Sequence, residues 1–199
     1  MKNTLVLIAA DAPQSGKSTV ATYLAHQILG NCGQYDVKRI PFAEPLKRML
    51  NALLKGELQH DASMTFEALN GDNKGGQVAN LTSEITYRKL MQTLGTEWRE
   101  ATGVPTLWGE IMLAKLKALP AGVSVIVDDF RFPLEANYLL EKLNPDEWTV
   151  KTVLVTREKA EAVTGHSSEG GLKDWVFDHV IDNNGTVTAL YEKVKTILV

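Results

Sequence analysis

The stretch Leu5-Val6-Leu7-Ile8-Ala9-Ala10-Asp11-Ala12-Pro13-Gln14-Ser15-Gly16-Lys17-Ser18-Thr19 decides how this chain is read. An apolar run of strand length gives way to a short polar turn containing Pro and Gly. Beyond it Val20, Leu24 and Ile28 recur at helical spacing. The pattern predicts a buried strand, a tight loop and a helix over about Lys17 to Leu29. At such a junction Gly16 permits a tight backbone path, the amides around Ser15 to Ser18 can cradle phosphate oxygens, and Lys17 can reach the outer phosphates. The helix N-terminus adds unpaired N–H groups and the positive end of a dipole. Pro13, Gln14, Ser15, Gly16, Lys17, Ser18 and Thr19 are therefore the expected nucleotide-phosphate site, with Ser18 the expected magnesium ligand. One position departs from the full phosphate-loop pattern, which wants a glycine where Asp11 stands. The bland alternative is an ordinary helix start with Lys17 in solvent. The order strand, Gly-Lys-Ser, helix argues against it.

Outward from this segment the alternation of strands and helices continues. A short strand is expected around Asp36 to Ile40, then a turn between Pro41 and Pro45. A helical stripe of Leu46, Met49, Leu50, Leu53 and Leu54 follows. Residues 56–81 are the least regular and read as a surface loop within a larger excursion. Helices are expected over Glu84 to Thr96 and Leu107 to Leu119. A second strongly apolar strand covers Val123 to Val127, and a helix runs from Pro133 through Leu143. A strand over Thr149 to Val155 precedes a polar excursion at 157–171. The tail offers a short helix near Leu172 to Val176, a strand near His179 to Ile181 and a last helix from Thr186 to Ile197. This is the pattern of an α/β protein with a mostly parallel sheet.

Composition agrees with a globular chain. Of 199 residues 44% are hydrophobic and 23% charged, with 21 Lys+Arg against 24 Asp+Glu for a net charge of -3. That slight acidity supplies no general attraction to nucleic acid or acidic membranes, and no extended basic stripe with interleaved aromatics stands out. The opening apolar run is too short to span a bilayer and leads into a polar turn rather than a cleavage region. A single cysteine, Cys32, excludes an internal disulfide and favours a cytoplasmic setting. No Cys/His cluster at structural-zinc spacing is present.

Asp128 and Asp129 end the second apolar strand, where a carboxylate can approach magnesium held near the phosphate loop. How the two divide their roles is left open, and a charged surface turn is the alternative. Arg131 follows closely enough to contact phosphate. Arg157, with His166 and Ser167, lies in the polar excursion, read as a lid that brings Arg157 toward the transferring phosphate or else as an exposed loop. Arg88, Gln92 and Arg99 recur at helical spacings that create a polar face unless the chain turns at Gly95. That face can hold an acceptor phosphate and base; the alternative is a solvated helix face with Trp98 anchoring it to the core. Lys38, Arg39, Phe42 and Lys47 are candidates for the same acceptor side, and Tyr35, Trp98 and Trp108 are candidates for stacking with a base.

Taken with the blocks Phe42-Ala43-Glu44-Pro45-Leu46-Lys47, Arg88 through Arg99, Asp128-Asp129-Phe130-Arg131-Phe132-Pro133-Leu134-Glu135-Ala136, His166-Ser167-Ser168-Glu169 and Phe177 through Thr186, the chain resembles the bacteriophage deoxynucleoside monophosphate kinase family of the P-loop kinase group. The blocks span nearly the whole chain, and their order is more specific than the phosphate loop alone. The resemblance implies a P-loop kinase fold that phosphorylates a deoxynucleoside monophosphate to its diphosphate with ATP and Mg2+. It implies one domain over 1–199, with an acceptor-binding helical insertion at 42–104 and a lid at 157–171. Lys17 and Ser18 carry over as donor-phosphate and magnesium groups, Asp128 as a metal-organising or catalytic carboxylate and Arg131 as a phosphate contact. Arg88, Gln92 and Arg99 carry over to the acceptor side, and the Asn183-Asn184-Gly185 turn to the donor adenine, with Asn184 as the contact. The implied partners are nucleotides, with neither nucleic acid nor membrane, and a homodimer stays open. A P-loop kinase for another small metabolite, or a nucleotide-regulated binding protein without transfer, are the alternatives.

Overall fold

The computed structural model describes residues 2–32, 36–158 and 171–198. The opening apolar run forms β1 (Asn3–Ala10), and Leu5 through Ala9 are shut off from solvent because both faces of the strand are covered. With β2 (Val37–Arg39), β3 (Ser124–Val127), β4 (Trp148–Thr156) and β5 (His179–Asp182) it builds a five-stranded sheet of order β2-β3-β1-β4-β5. All pairings are parallel, with Leu5 aligned to Val125 on one side and Val150 on the other.

Parallel neighbours require crossovers, and helices supply them. α1 (Lys17–Cys32) follows β1. Val6 and Ile8 pack with Val20, Leu24 and Ile28 of α1 and with Leu190 and Val194 of the last helix, Val187–Lys195. The two helices also meet edge-on through Tyr23 and Tyr191, with ring centroids 5.2 Å apart. Burying each large aliphatic side chain of this face is worth about 1.5–3 kcal/mol. The period of two turns Leu5 and Leu7 to the opposite face of the sheet.

The chain divides into two compact units, Met1–Phe42 with Trp108–Val199, and Ala43–Leu107. The second is helical: α2 (Glu44–Ala52), α3 (Ala62–Leu69), α4 (Tyr87–Gln92) and α5 (Arg99–Ala101). Back in the first unit, α6 (Leu107–Lys117, its first residue still in the second unit) and α7 (Pro133–Lys142) bury Met112, Leu116, Ala136 and Leu139. Val187–Lys195 is then α8. Proline at the start of α7 costs no hydrogen bond, since the first N–H of a helix has no partner within it.

Four expectations are corrected. Leu46, Leu50 and Leu54 of the predicted stripe are buried, but Met49 and Leu53 are 42% and 40% exposed, because the buried ridge follows a spacing of four. The stretch read as loop contains α3, whose N-cap Asp61 accepts the Met64 N–H at 2.8 Å and which buries Thr65, Ala68 and Leu69. Residues 172–176 form a turn and irregular backbone rather than a helix, closed by a Trp175 N–H to Leu172 carbonyl bond of 3.1 Å. The helix expected from Glu84 starts only at Tyr87, where Thr86 caps it through the Lys89 N–H at 3.1 Å.

Candidate active site

With every strand parallel, the carboxyl ends lie along one edge of the sheet. The chain moves from β1 to one side of the sheet and later, from β3, to the other. That reversal opens a crevice at the end of β1. The residues following the strands there are Asp11 after β1, Ile40 after β2, Asp128 and Asp129 after β3, Arg157 after β4 and Asn183 after β5.

The loop from Asp11 to Gly16 is held by its own side chains. Gln14 and Gly16 take positive φ values of 61° and 102°. Ser15 is buried, and its hydroxyl lies 2.8 Å from Asp11 Oδ1 and 2.7 Å from the Ala12 carbonyl, with one proton to donate between them. Asn183 donates from Nδ2 to the Ser15 carbonyl at 2.8 Å. A Cβ on Gly16 would fall 2.4 Å from that same Nδ2, so the close approach and the backbone angle both require glycine. Asp11, the mismatch to the phosphate-loop pattern, thus ties the loop to itself. Its second oxygen faces the Arg157 backbone N–H at 3.4 Å.

Lys17 opens α1. Burial pushes its ammonium pKa below the ordinary 10.5 and the nearby Arg131 pushes the same way, against the opposing pull of Asp128, Asp129 and Asp11. The two aspartates after β3 part company. Asp128 Oδ2 faces the Ser18 hydroxyl at 3.4 Å and forms an ion pair with Arg39 of β2, whereas Asp129 accepts the Phe42 N–H at 2.9 Å. Asp129 therefore holds backbone, and Asp128 faces the phosphate loop. Between Asp129 and Arg131, Phe130 is buried and meets Trp175 and Phe177 edge-on.

Arg39 and Asn183 are the residues whose roles sequence reasoning missed. The sequence places Arg39 among the acceptor-side candidates, and nothing local in Val37-Lys38-Arg39 signals a partner 89 positions away. Asn184, expected at the donor adenine, receives the Glu158 N–H at 3.0 Å and donates to Asp182 at 2.5 Å. Lys38 pairs with Asp36 at 3.0 Å. Tyr35, His166 and Ser167 lie outside the described residues.

In the second unit Lys47 Nζ donates to Asn70 at 2.8 Å. Arg88 is exposed, Gln92 half-buried and Arg99 buried, while Trp98 is 39% exposed rather than anchored in the core. Their exposures differ because the turns over Thr93–Trp98 are widened to the π type, which shifts the helical phase after Gln92. Gly95 does not break the chain's path there. Among the described residues no helix is long and apolar enough to cross a membrane.

A parallel sheet of this order with a Gly-Lys-Ser loop at its central strand defines a P-loop kinase fold, and a lysine, a hydroxyl and a carboxylate meeting at that loop suit phosphoryl chemistry. A family model described as deoxynucleotide monophosphate kinase matches residues 54–194, more than half of the chain. The chain belongs to that family and is a nucleotide kinase. A solved structure of a mutant APS kinase from Mycobacterium tuberculosis is similar at 12% identity and a TM-score of 0.46, covering 99% of this chain and 97% of that one. No curated protein matches the sequence.

Proposed function

We propose that the enzyme transfers the terminal phosphoryl group of ATP to the phosphate of a deoxynucleoside 5'-monophosphate, yielding the diphosphate. The observation that carries this reading is the meeting of Lys17, Ser18, Asp128 and Arg131 at the end of β1 in a chain of this family.

The residues suit their proposed ligands. The Ser18 hydroxyl and Asp128 carboxylate are hard oxygen donors of the kind Mg2+ prefers, and the loop amides beside Gly16 lead into the N-terminus of α1, where phosphate oxygens are favoured. Bound there, Mg2+ would neutralise charge on the donor phosphates. Lys17 and Arg131 then balance the negative charge on the transferring group, and Arg157, at the base of the 157–171 segment, adds a third cation. Little covalent work falls to the protein, so alignment and charge stabilisation dominate and no general base is needed for an acceptor that already carries phosphate. Asn184 lies on the donor side. Arg88, Gln92, Trp98, Arg99, Lys47, Phe42 and Lys38 are the proposed acceptor contacts, with 42–104 as the acceptor insertion.

The test is mass-resolved product formation from Mg-ATP with dAMP, dCMP, dGMP, dTMP or hydroxymethylated dCMP, each with a Lys17→Ala control. A diphosphate made by the wild type and largely lost in the variant is expected. Folded protein that makes no diphosphate from any of the five removes the acceptor assignment.

A further inference from the structure

Two donors converge on one oxygen in the site. Arg39 Nη2 and the Ser18 hydroxyl both approach Asp128 Oδ2, the first as an ion pair and the second at a loose 3.4 Å. That oxygen faces the hydroxyl expected to share a divalent cation with Asp128, so a metal ion seated between them would meet the guanidinium. Two unit charges 4 Å apart interact by about 1 kcal/mol in water and about 4 kcal/mol near a protein surface, and a divalent ion doubles the repulsion. The guanidinium and the metal therefore compete for that oxygen.

Arg39 is also free to leave it. Its side chain is 46% exposed against 12% for Asp128. It borders a cavity of about 270 Å³ formed with Thr22, His26 and Leu29 of α1 and Val37 of β2. An ion pair this exposed is weak enough to be exchanged.

We propose that Arg39 is a positioning residue, the counter-ion of Asp128, which holds the carboxylate oxygen that faces Ser18 and is displaced when a divalent cation binds. This rests on the kinase reading and on Asp128 as a metal ligand. It gives the site a threshold: the bare metal must compete with Arg39, whereas a metal arriving on nucleotide phosphates brings its own additional contacts. The released guanidinium stays beside the phosphate loop as a cation for the anionic substrates. An arginine stays protonated throughout the working pH range, so the competitor keeps its charge.

The experiment is a Mn2+ titration of the nucleotide-free protein, followed by electron paramagnetic resonance of the free ion, for wild type, Arg39→Ala, Arg39→Gln, Arg39→Lys and Asp128→Asn. Removing the competitor in Arg39→Ala is expected to tighten Mn2+ binding about two- to fivefold, the range a half-exposed ion pair is worth. Arg39→Gln keeps the side chain's length without its charge and tightens binding alike, which separates charge from packing. Arg39→Lys returns the affinity toward wild type. Mn2+ binding that is no tighter in Arg39→Ala and Arg39→Gln than in wild type, including none measurable in any of them, overturns the proposal. An affinity unchanged by Asp128→Asn instead overturns the metal role of Asp128 on which it rests.

Discussion

Lys17 answers two opposed demands. Its ammonium is wanted by phosphates, yet without them burial and the neighbouring Arg131 hold its pKa below 10.5. The folded protein therefore binds this proton less tightly than the unfolded chain does. The resulting cost to stability is full below the folded pKa and is relieved as pH rises from that value toward 10.5. Lys17→Met should raise the melting temperature of the nucleotide-free protein at neutral pH, with the gap over wild type closing as pH approaches that upper value. The same substitution should lower kcat about 10²- to 10³-fold, as loss of one preorganised charge-stabilising donor does. A variant less stable than wild type at pH 7 would contradict the account of burial. Gly16 makes a second test. At φ 102° any Cβ is strained, and here it also meets Asn183. Gly16→Ala should destabilise the protein by about 1–2 kcal/mol or more. Asn183→Ala in the same chain should relieve only the collision, so denaturant unfolding of the double variant should recover part of the loss and no more.

At the scale of elements, the joint between β4 and β5 shows what holds the sheet's outer edge. Before their pairing starts at Val153 and His179, Asp178 Oδ2 accepts both the Thr152 N–H at 2.7 Å and its hydroxyl at 2.8 Å. Asp178→Ala leaves a backbone donor of a buried residue without its partner, a loss of about 1–3 kcal/mol. At about 2–4 °C per kcal/mol for a chain of this size, thermal melting should fall by roughly 2–12 °C. Thr152→Val removes a hydroxyl that also accepts the Asp178 N–H at 3.1 Å and should cost a comparable amount, whereas Asp178→Asn keeps an acceptor oxygen for the Thr152 N–H and should cost less; a loss from Asp178→Asn as large as from Asp178→Ala would exclude the backbone contact as the main term. The same elements show what the sequence could disclose. β1, β3 and α1 were legible because a strand covered on both faces is apolar without interruption and a helix on its face repeats its aliphatics every turn. α3 was not, since its polar residues and the glycines after it outweighed a helix start marked only by Asp61. In the candidate site the loop residues were visible in the chain because they are contiguous. The Arg39–Asp128 and Asn183–Ser15 contacts were not, because strand order alone brings such distant positions to one edge.

Over the whole molecule a net charge of -3 conceals a local gathering of cations. Lys17, Arg39, Arg131 and Arg157 come from four separate stretches of chain and collect by the carboxyl edge of the sheet because all five strands point the same way. The carboxylates of Asp11, Asp128 and Asp129 offset part of that charge, and an anion that binds only the folded form must stabilise it. At a hundredfold excess over its dissociation constant a ligand adds about 2.7 kcal/mol. For a protein of this length that corresponds to a rise of roughly 5–11 °C in melting temperature. Scanning calorimetry with Mg-ADP should show that rise in the transition of the unit that carries the sheet, Met1–Phe42 with Trp108–Val199. If the two units melt separately, the transition of Ala43–Leu107 should not move with ADP alone, because every donor-phosphate group named here lies outside it. Lys17→Met should remove most of the shift, measured against that variant's own ligand-free scan. A transition of the sheet-bearing unit that stays in place under saturating Mg-ADP would mean that the donor does not bind at the end of β1, and with it would go the roles given to Lys17, Ser18 and Asp128.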